Sequence, residues 1–138
     1  MAPLFAFGFG LSYTQFDYSN LKITPITTEG EFSLSFEVKN TGKVEGREIS
    51  QVYISDLQSS LPRAGKELKG FAKTYLKPGE SKIVEVSLDR EALGFYDDRS
   101  MHWTAEEGIF DVQIGASSED IRLSGKVELE NTFTWTGL

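Results

Sequence analysis

The sequence contains no cysteine and a single histidine, His102. These absences exclude a disulfide framework, a thiolate zinc site, a cysteine nucleophile and a multi-histidine metal centre. Neither staple is needed: the 138 residues suit one domain, and a domain of this size buries roughly two-thirds of the surface its unfolded chain exposes. Positive charge is also scarce, with Lys+Arg 14 against Asp+Glu 21, a net charge of -7 and an isoelectric point near 4.7. Phosphate is bound by clustered Lys and Arg that displace counterions, and no such run is present, so nucleic-acid and anionic-membrane partners are excluded. No stretch approaches the roughly 20 apolar residues of a membrane span, and the longest candidate, Pro3 to Leu11, is broken by Gly8 and Gly10. A soluble protein is expected.

The N-terminus, Met1-Ala2-Pro3-Leu4, lacks the basic and apolar regions of a signal peptide. Asn20, Asn40 and Asn131 are each followed by the wrong residues for N-glycosylation, which disfavours a glycosylated secreted protein and leaves the compartment open. The chain starts inside an aromatic segment, Phe5, Phe7, Phe9, Tyr13 and Phe16, and so reads as a piece of a longer protein.

Period-2 alternation recurs in short runs separated by turn residues, the spacing of an all-β sandwich. Phe32, Leu34, Phe36 and Val38 share one face, Ser33, Ser35, Glu37 and Lys39 the other, and Asn40-Thr41-Gly42 closes the run as a turn. Glu48 to Ser55 has apolar residues on both sides, Ile49 and Tyr53 against Val52 and Ile54, and reads as a central strand. An aperiodic loop, 56–65, follows. Lys77-Pro78-Gly79-Glu80 favours a type II turn, after which Val84, Val86 and Leu88 alternate with Glu85 and Ser87. Phe110, Val112 and Ile114, then Ile121, Leu123, Val127 and Leu129, give two more strands, and Leu21, Ile23 and Ile26 a first. The predicted fold is an antiparallel, immunoglobulin-like β-sandwich of about seven strands.

No catalytic residue is expected. Twenty-one carboxylates bring some pairs close by chance, but a small sandwich fills its interior with side chains and offers no deep cleft in which burial would tune an acid. Gly-x-Ser-x-Gly is absent, and Gly8 and Gly10 form no phosphate loop. No metal site and no cofactor are expected: Asp97-Asp98 and Glu106-Glu107 bracket His102 and Trp103 without a calcium-loop spacing. That segment reads as a solvated turn with Trp103 packed into the core as the sandwich tryptophan. The aromatic segment, Phe5 to Phe16, packs against a neighbouring domain or forms a sugar-binding platform, and Trp135 carries the same ambiguity.

Pro3-Leu4-Phe5-Ala6-Phe7-Gly8-Phe9-Gly10-Leu11-Ser12-Tyr13-Thr14-Gln15-Phe16 resembles the segment that leads into the C-terminal fibronectin type III-like domain of glycoside hydrolase family 3. Val38 to Gly46, Gln51 to Asp56, Lys66-Glu67-Leu68-Lys69-Gly70-Phe71, Leu76 to Glu80 and Gly108 to Gly115 follow in the order of that domain. Leu61-Pro62-Arg63-Ala64-Gly65 departs from it, since many relatives read Arg-Pro before the Lys-Glu-Leu motif.

The resemblance implies a lead-in segment, 1–16, and a sandwich, 17–138. Well-known members of the family are β-glucosidases that remove terminal non-reducing glucose with retention, and others cleave β-xylosides. Their Asp nucleophile and Glu acid/base lie on preceding domains, so neither maps onto this chain. The expected function is therefore a non-catalytic accessory domain that packs on the catalytic domains of its parent and stabilises them. The alternative is a module that holds the enzyme on glucan, xylan or lignin through Trp103, Trp135, Tyr96 or Phe rings. A third reading is an adhesion or protein-binding sandwich. Arg63 and Lys66 are candidates for contact with the catalytic domains or an outer sugar.

Overall fold

A computed structural model describes residues 14–58 and 65–136. In chain order its strands are β1 (Phe16–Ile23), β2 (Phe32–Asn40), β3 (Gly46–Asp56), β4 (Glu67–Leu76), β5 (Ser81–Leu88), β6 (Phe95–Asp97), β7 (His102–Ala105), β8 (Gly108–Ser117), β9 (Asp120–Leu129) and β10 (Phe133–Trp135). One short 3₁₀ turn, Arg90–Ala92, sits between β5 and β6. No helix among the described residues is long and apolar enough to cross a membrane.

Two antiparallel sheets form the sandwich, β1-β2-β5 against β4-β3-β8-β9. Their number matches the seven expected, six at the alternating runs of the sequence and the seventh, β4, between the 56–65 loop and the Lys77–Glu80 turn. Alternation explains the layering: on β2 the even-numbered positions Leu34, Phe36 and Val38 are at most 1% exposed, and they meet Val52, Phe110, Val112 and Ile114 of the opposite sheet, all fully buried. Non-polar side chains on both inner faces interdigitate, and their burial drives the assembly. β3 is central, paired with β4 on one side and β8 on the other. The turn at Lys77–Glu80 forms as expected, with Gly79 at φ 80° and Glu80 N–H donating to Lys77 O at 2.9 Å.

Three expectations need correction. The third sheet, β10-β7-β6, was not foreseen, and the segment holding His102 and Trp103 is a strand rather than a solvated turn. Trp103 is half-buried on that side sheet and is not the core tryptophan; Phe36 and Phe110 fill the centre instead. Strands of three and four residues are too short to show a period, which is why the pattern hid them. The first strand begins at Phe16 and ends at Ile23, short of Ile26; within it Asn20 takes φ 59° and the register shifts between Ser19 and Lys22. Such a bulge breaks alternation in its own strand.

Candidate functional site

The side sheet gathers the aromatic candidates. Trp135 pairs directly with Trp103 across β10 and β7, and Tyr96 pairs with Trp103 across β6 and β7. The indoles stack with centroids 6.5 Å apart at 14°, and Tyr96 meets Trp103 edge-on at 5.3 Å. Tyr96 is exposed and both tryptophans are half-buried.

Residues that the sequence did not single out complete this cluster. The Arg90 guanidinium lies 4.9 Å from the Trp135 ring and 5.9 Å from that of Phe133. A cation over an indole face is attracted by its quadrupole. Asp89 Oδ1 caps the 3₁₀ turn by accepting from Glu91 N–H at 2.9 Å, and this fixes Arg90 beneath the side sheet. Trp135 also lies on Gly94, where a Cβ would stand 2.7 Å from the ring. Lys69, Glu91, Trp103 and Trp135 together enclose a cleft of about 240 Å³. The Asp-x-Glu cap was legible locally, but its proximity to a tryptophan 45 residues onward was not.

Arg63, the remaining candidate, and Phe5, Phe7, Phe9 and Tyr13 of the lead-in lie outside the described residues. Lys66 is engaged within the domain: its Nζ donates to Ser118 O at 2.6 Å and Gln113 Oε1 at 3.1 Å, and sits 5.5 Å from the Tyr53 ring.

At the opposite end of β2, Asn40 is a fully buried hub rather than a simple turn residue. Its Oδ1 accepts from Thr14 Oγ1 at 2.6 Å and Gly42 N–H at 2.9 Å, while Nδ2 donates to Val44 O and Leu76 O. Thr41 N–H donates to Gln15 O at 2.8 Å. The chain arriving from the lead-in is thereby fastened to the β2–β3 turn.

A polar cluster closes the β1–β9 edge. Tyr18 Oη lies 2.8 Å from Glu48 Oε2 and 2.9 Å from Ser50 Oγ, and the Arg122 guanidinium covers the Tyr18 ring at 5.5 Å. Arg122 also grips Asp120 through two hydrogen bonds and Phe16 O through a third. Burial pushes the Tyr18 hydroxyl and the Glu48 carboxyl upward, whereas the Arg122 hydrogen bond holds Asp120 below its ordinary value. Among the described residues no group of three His, Cys, Asp or Glu is placed to hold a metal ion.

The outer face of β3 and β4 alternates exposed apolar and polar side chains. Phe71 is 63% exposed and Tyr75 60%, with Leu68 and Ile49 beside them. Cross-strand register puts Phe71 opposite Gln51, Lys73 opposite Ile49 and Tyr75 opposite Arg47, so these side chains share one surface.

Three sheets of this topology define an immunoglobulin-type sandwich with a small side sheet. Residues 48–118 match the fibronectin type III-like domain, and the chain belongs to that family. It is 44% identical over 132 residues to thermostable β-glucosidase B of Acetivibrio thermocellus, covering 94% of this chain and 18% of that protein. It is 51% identical to β-glucosidase BoGH3A of Bacteroides ovatus over 122 residues, 87% of this chain and 16% of the relative. Among solved structures, β-glucosidase 3B of Thermotoga neapolitana in complex with glucose superposes with a TM-score of 0.84 at 34% identity, over 99% of this chain and 19% of that one. The chain thus spans less than one-fifth of the length of these relatives.

Proposed function

We infer that the chain is the accessory domain of a family 3 β-glucosidase that hydrolyses terminal non-reducing β-D-glucosyl residues, and that it packs on the catalytic domains and stabilises them. The observation that carries this is the exposure of Phe71 and Tyr75 on the outer face of β3 and β4, on a chain that accounts for less than one-fifth of relatives named β-glucosidase. Large aromatic rings left exposed among polar neighbours suit a surface that a partner covers, and the remainder of the same longer protein is the partner at hand. The lead-in, 1–16, docks on neighbouring domains and is coupled to the sandwich, 17–138, through the Thr14–Asn40 hydrogen bond. On this reading the module carries no catalytic pair of its own; among the described residues Glu48, whose proton affinity burial raises, is committed to Tyr18 inside the sandwich edge.

Replacing Phe71 and Tyr75 by Ser in the longer protein tests this. A lower melting temperature of the catalytic part and reduced turnover are expected. An unchanged melting temperature with full turnover would remove the stabilising role.

A second reading, attachment to glucan, xylan or lignin, is favoured by one observation: Trp103, Trp135 and Tyr96 meet on one small sheet with Tyr96 exposed. Aromatic faces of this kind stack on the apolar faces of sugars and phenolic polymers. Retention of the chain on insoluble cellulose, xylan and lignin, lost on Trp103→Ala, is the expected result; retention no greater than that of albumin would dismiss it.

A further inference from the structure

The aromatic cleft is one end of a longer depression. A cleft of about 240 Å³ beside it shares Lys69 and Glu91 with the tryptophan cleft. That second cleft in turn shares Ser87, Leu88 and Asp89 with a third, of about 440 Å³, which extends to Thr24 and Glu31. The three clefts thus adjoin through shared residues, from the start of β2, past the end of β5, to the side sheet.

We propose that this groove binds a neutral oligosaccharide chain of several sugar units, with the terminal unit against Trp103 and Trp135. This rests on the polymer-attachment reading and gives it a site. The chemistry of the walls selects the ligand. Thr24, Ser33 and Ser87 supply hydroxyls, and Glu31, Asp89 and Glu91 supply acceptors. Asp89 uses Oδ1 on the Glu91 N–H, which holds its carboxylate in a fixed orientation. Sugar hydroxyls donate and accept at once, so they satisfy such walls, whereas three carboxylates against Lys69 and the Arg90 guanidinium beside Trp135 leave a net negative charge that disfavours anionic polymers. A few convergent polar groups beside an aromatic surface are the features of a small-ligand site.

The position of the groove also leaves it open. It lies at the Phe32 end of β2, and the lead-in is fastened at the Asn40 end. Phe32 and Asn40 are the two ends of the nine-residue β2, about 26 Å apart at ~3.3 Å per residue. The exposed rings of Phe71 and Tyr75 face outward from the other sheet. A domain held through the lead-in therefore leaves the Thr24 and Glu31 end open, while Lys69 of β4 borders the surface of Leu68 and Phe71.

The test uses the 138-residue chain, whose two tryptophans both stand at the end of the groove. Titration with a β-1,4-linked glucose hexamer is expected to give a saturable change in tryptophan fluorescence, and glucose alone a weaker one. Glu91→Gln, on the surface and outside the core, is expected to weaken binding about tenfold, the scale of one lost charge-assisted hydrogen bond. Trp103→Ala is expected to do so at least as strongly, with Phe71→Ser without effect. No saturable signal with glucose or xylose hexamers up to roughly 10 mM would overturn the proposal, as would unaltered affinity in both groove variants. Retention on insoluble polymer without hexamer binding would assign attachment to the exposed ring faces instead. The packing role is read separately, from the melting temperature and turnover of the longer protein.

Discussion

Thr14 donates its hydroxyl to Asn40 Oδ1 at 2.6 Å, joining residues 26 apart in sequence across a site with no access to water. Asn40 Nδ2 binds Leu76 O at 3.0 Å, so one amide ties the entering chain, the β2–β3 turn and the end of β4. Asn40→Ala strands the Thr14 hydroxyl, the Gly42 N–H and two carbonyls, and the expected cost is on the order of 3 kcal/mol. Thermal unfolding of the chain should show a melting temperature lower by roughly 10 °C.

Gly42 stands where a Cβ would meet Thr14 Oγ1 at 1.9 Å and Gln15 N at 2.9 Å. Gly42→Ala therefore pushes the entering chain off the turn while leaving the core intact. Hydrogen exchange at the Thr41 amide, which donates to Gln15 O, should accelerate, with smaller changes in the centre of β2.

The edge cluster gives a pH dependence of known sign. Burial raises the proton affinity of Glu48 in the folded state, so its contribution to stability is full below the ordinary glutamate range and is lost as pH rises through the folded value. Asp120 acts oppositely: its Arg122 hydrogen bond stabilises the fold above the ordinary aspartate range and is lost as pH falls through the lowered value. Glu48→Gln keeps an acceptor for Tyr18 and removes the ionisation. The variant should melt higher than the parent sequence near neutrality, with the difference shrinking as the solution is acidified into the carboxylate range.

Gly94 lets Trp135 lie flat between the 3₁₀ turn and the side sheet. A Cβ there, 2.7 Å from Trp135 Cη2, displaces the indole from Arg90 and from Trp103. Gly94→Ala should change the near-ultraviolet circular dichroism and tryptophan emission while the far-ultraviolet spectrum, dominated by the two main sheets, stays the same.

Phe71 makes few contacts inside the domain, being 63% exposed. Phe71→Ser in the 138-residue chain should alter stability by no more than about 0.5 kcal/mol, measured by denaturant titration. The same change in the longer protein is the destabilising one.

Much of the sandwich was legible because its strands are long and one-sided. Phe32 to Val38, Val84 to Leu88 and Phe110 to Ile114 alternate over enough residues to fix which face is buried, and Pro78-Gly79 fixes a turn by its backbone preferences alone. The side sheet escaped because its strands are three or four residues long and owe their existence to each other, Phe133 to Trp135 returning to pair with Trp103 to Ala105. The tryptophans were recognisable as candidates, but one was assigned to the core, since composition shows that an indole needs cover and not which surface supplies it.

Local order, turn chemistry and the alternation of side chains were thus determined by the sequence, because they depend on residues within one or two turns of each other. Only the tertiary structure decided that Asn40 would meet Thr14 and Leu76, that Arg90 would lie under Trp135, and that three clefts would share walls between β5 and the side sheet. Those contacts join segments far apart in the chain, and they exist because the buried faces of seven strands can close on one another in only one register.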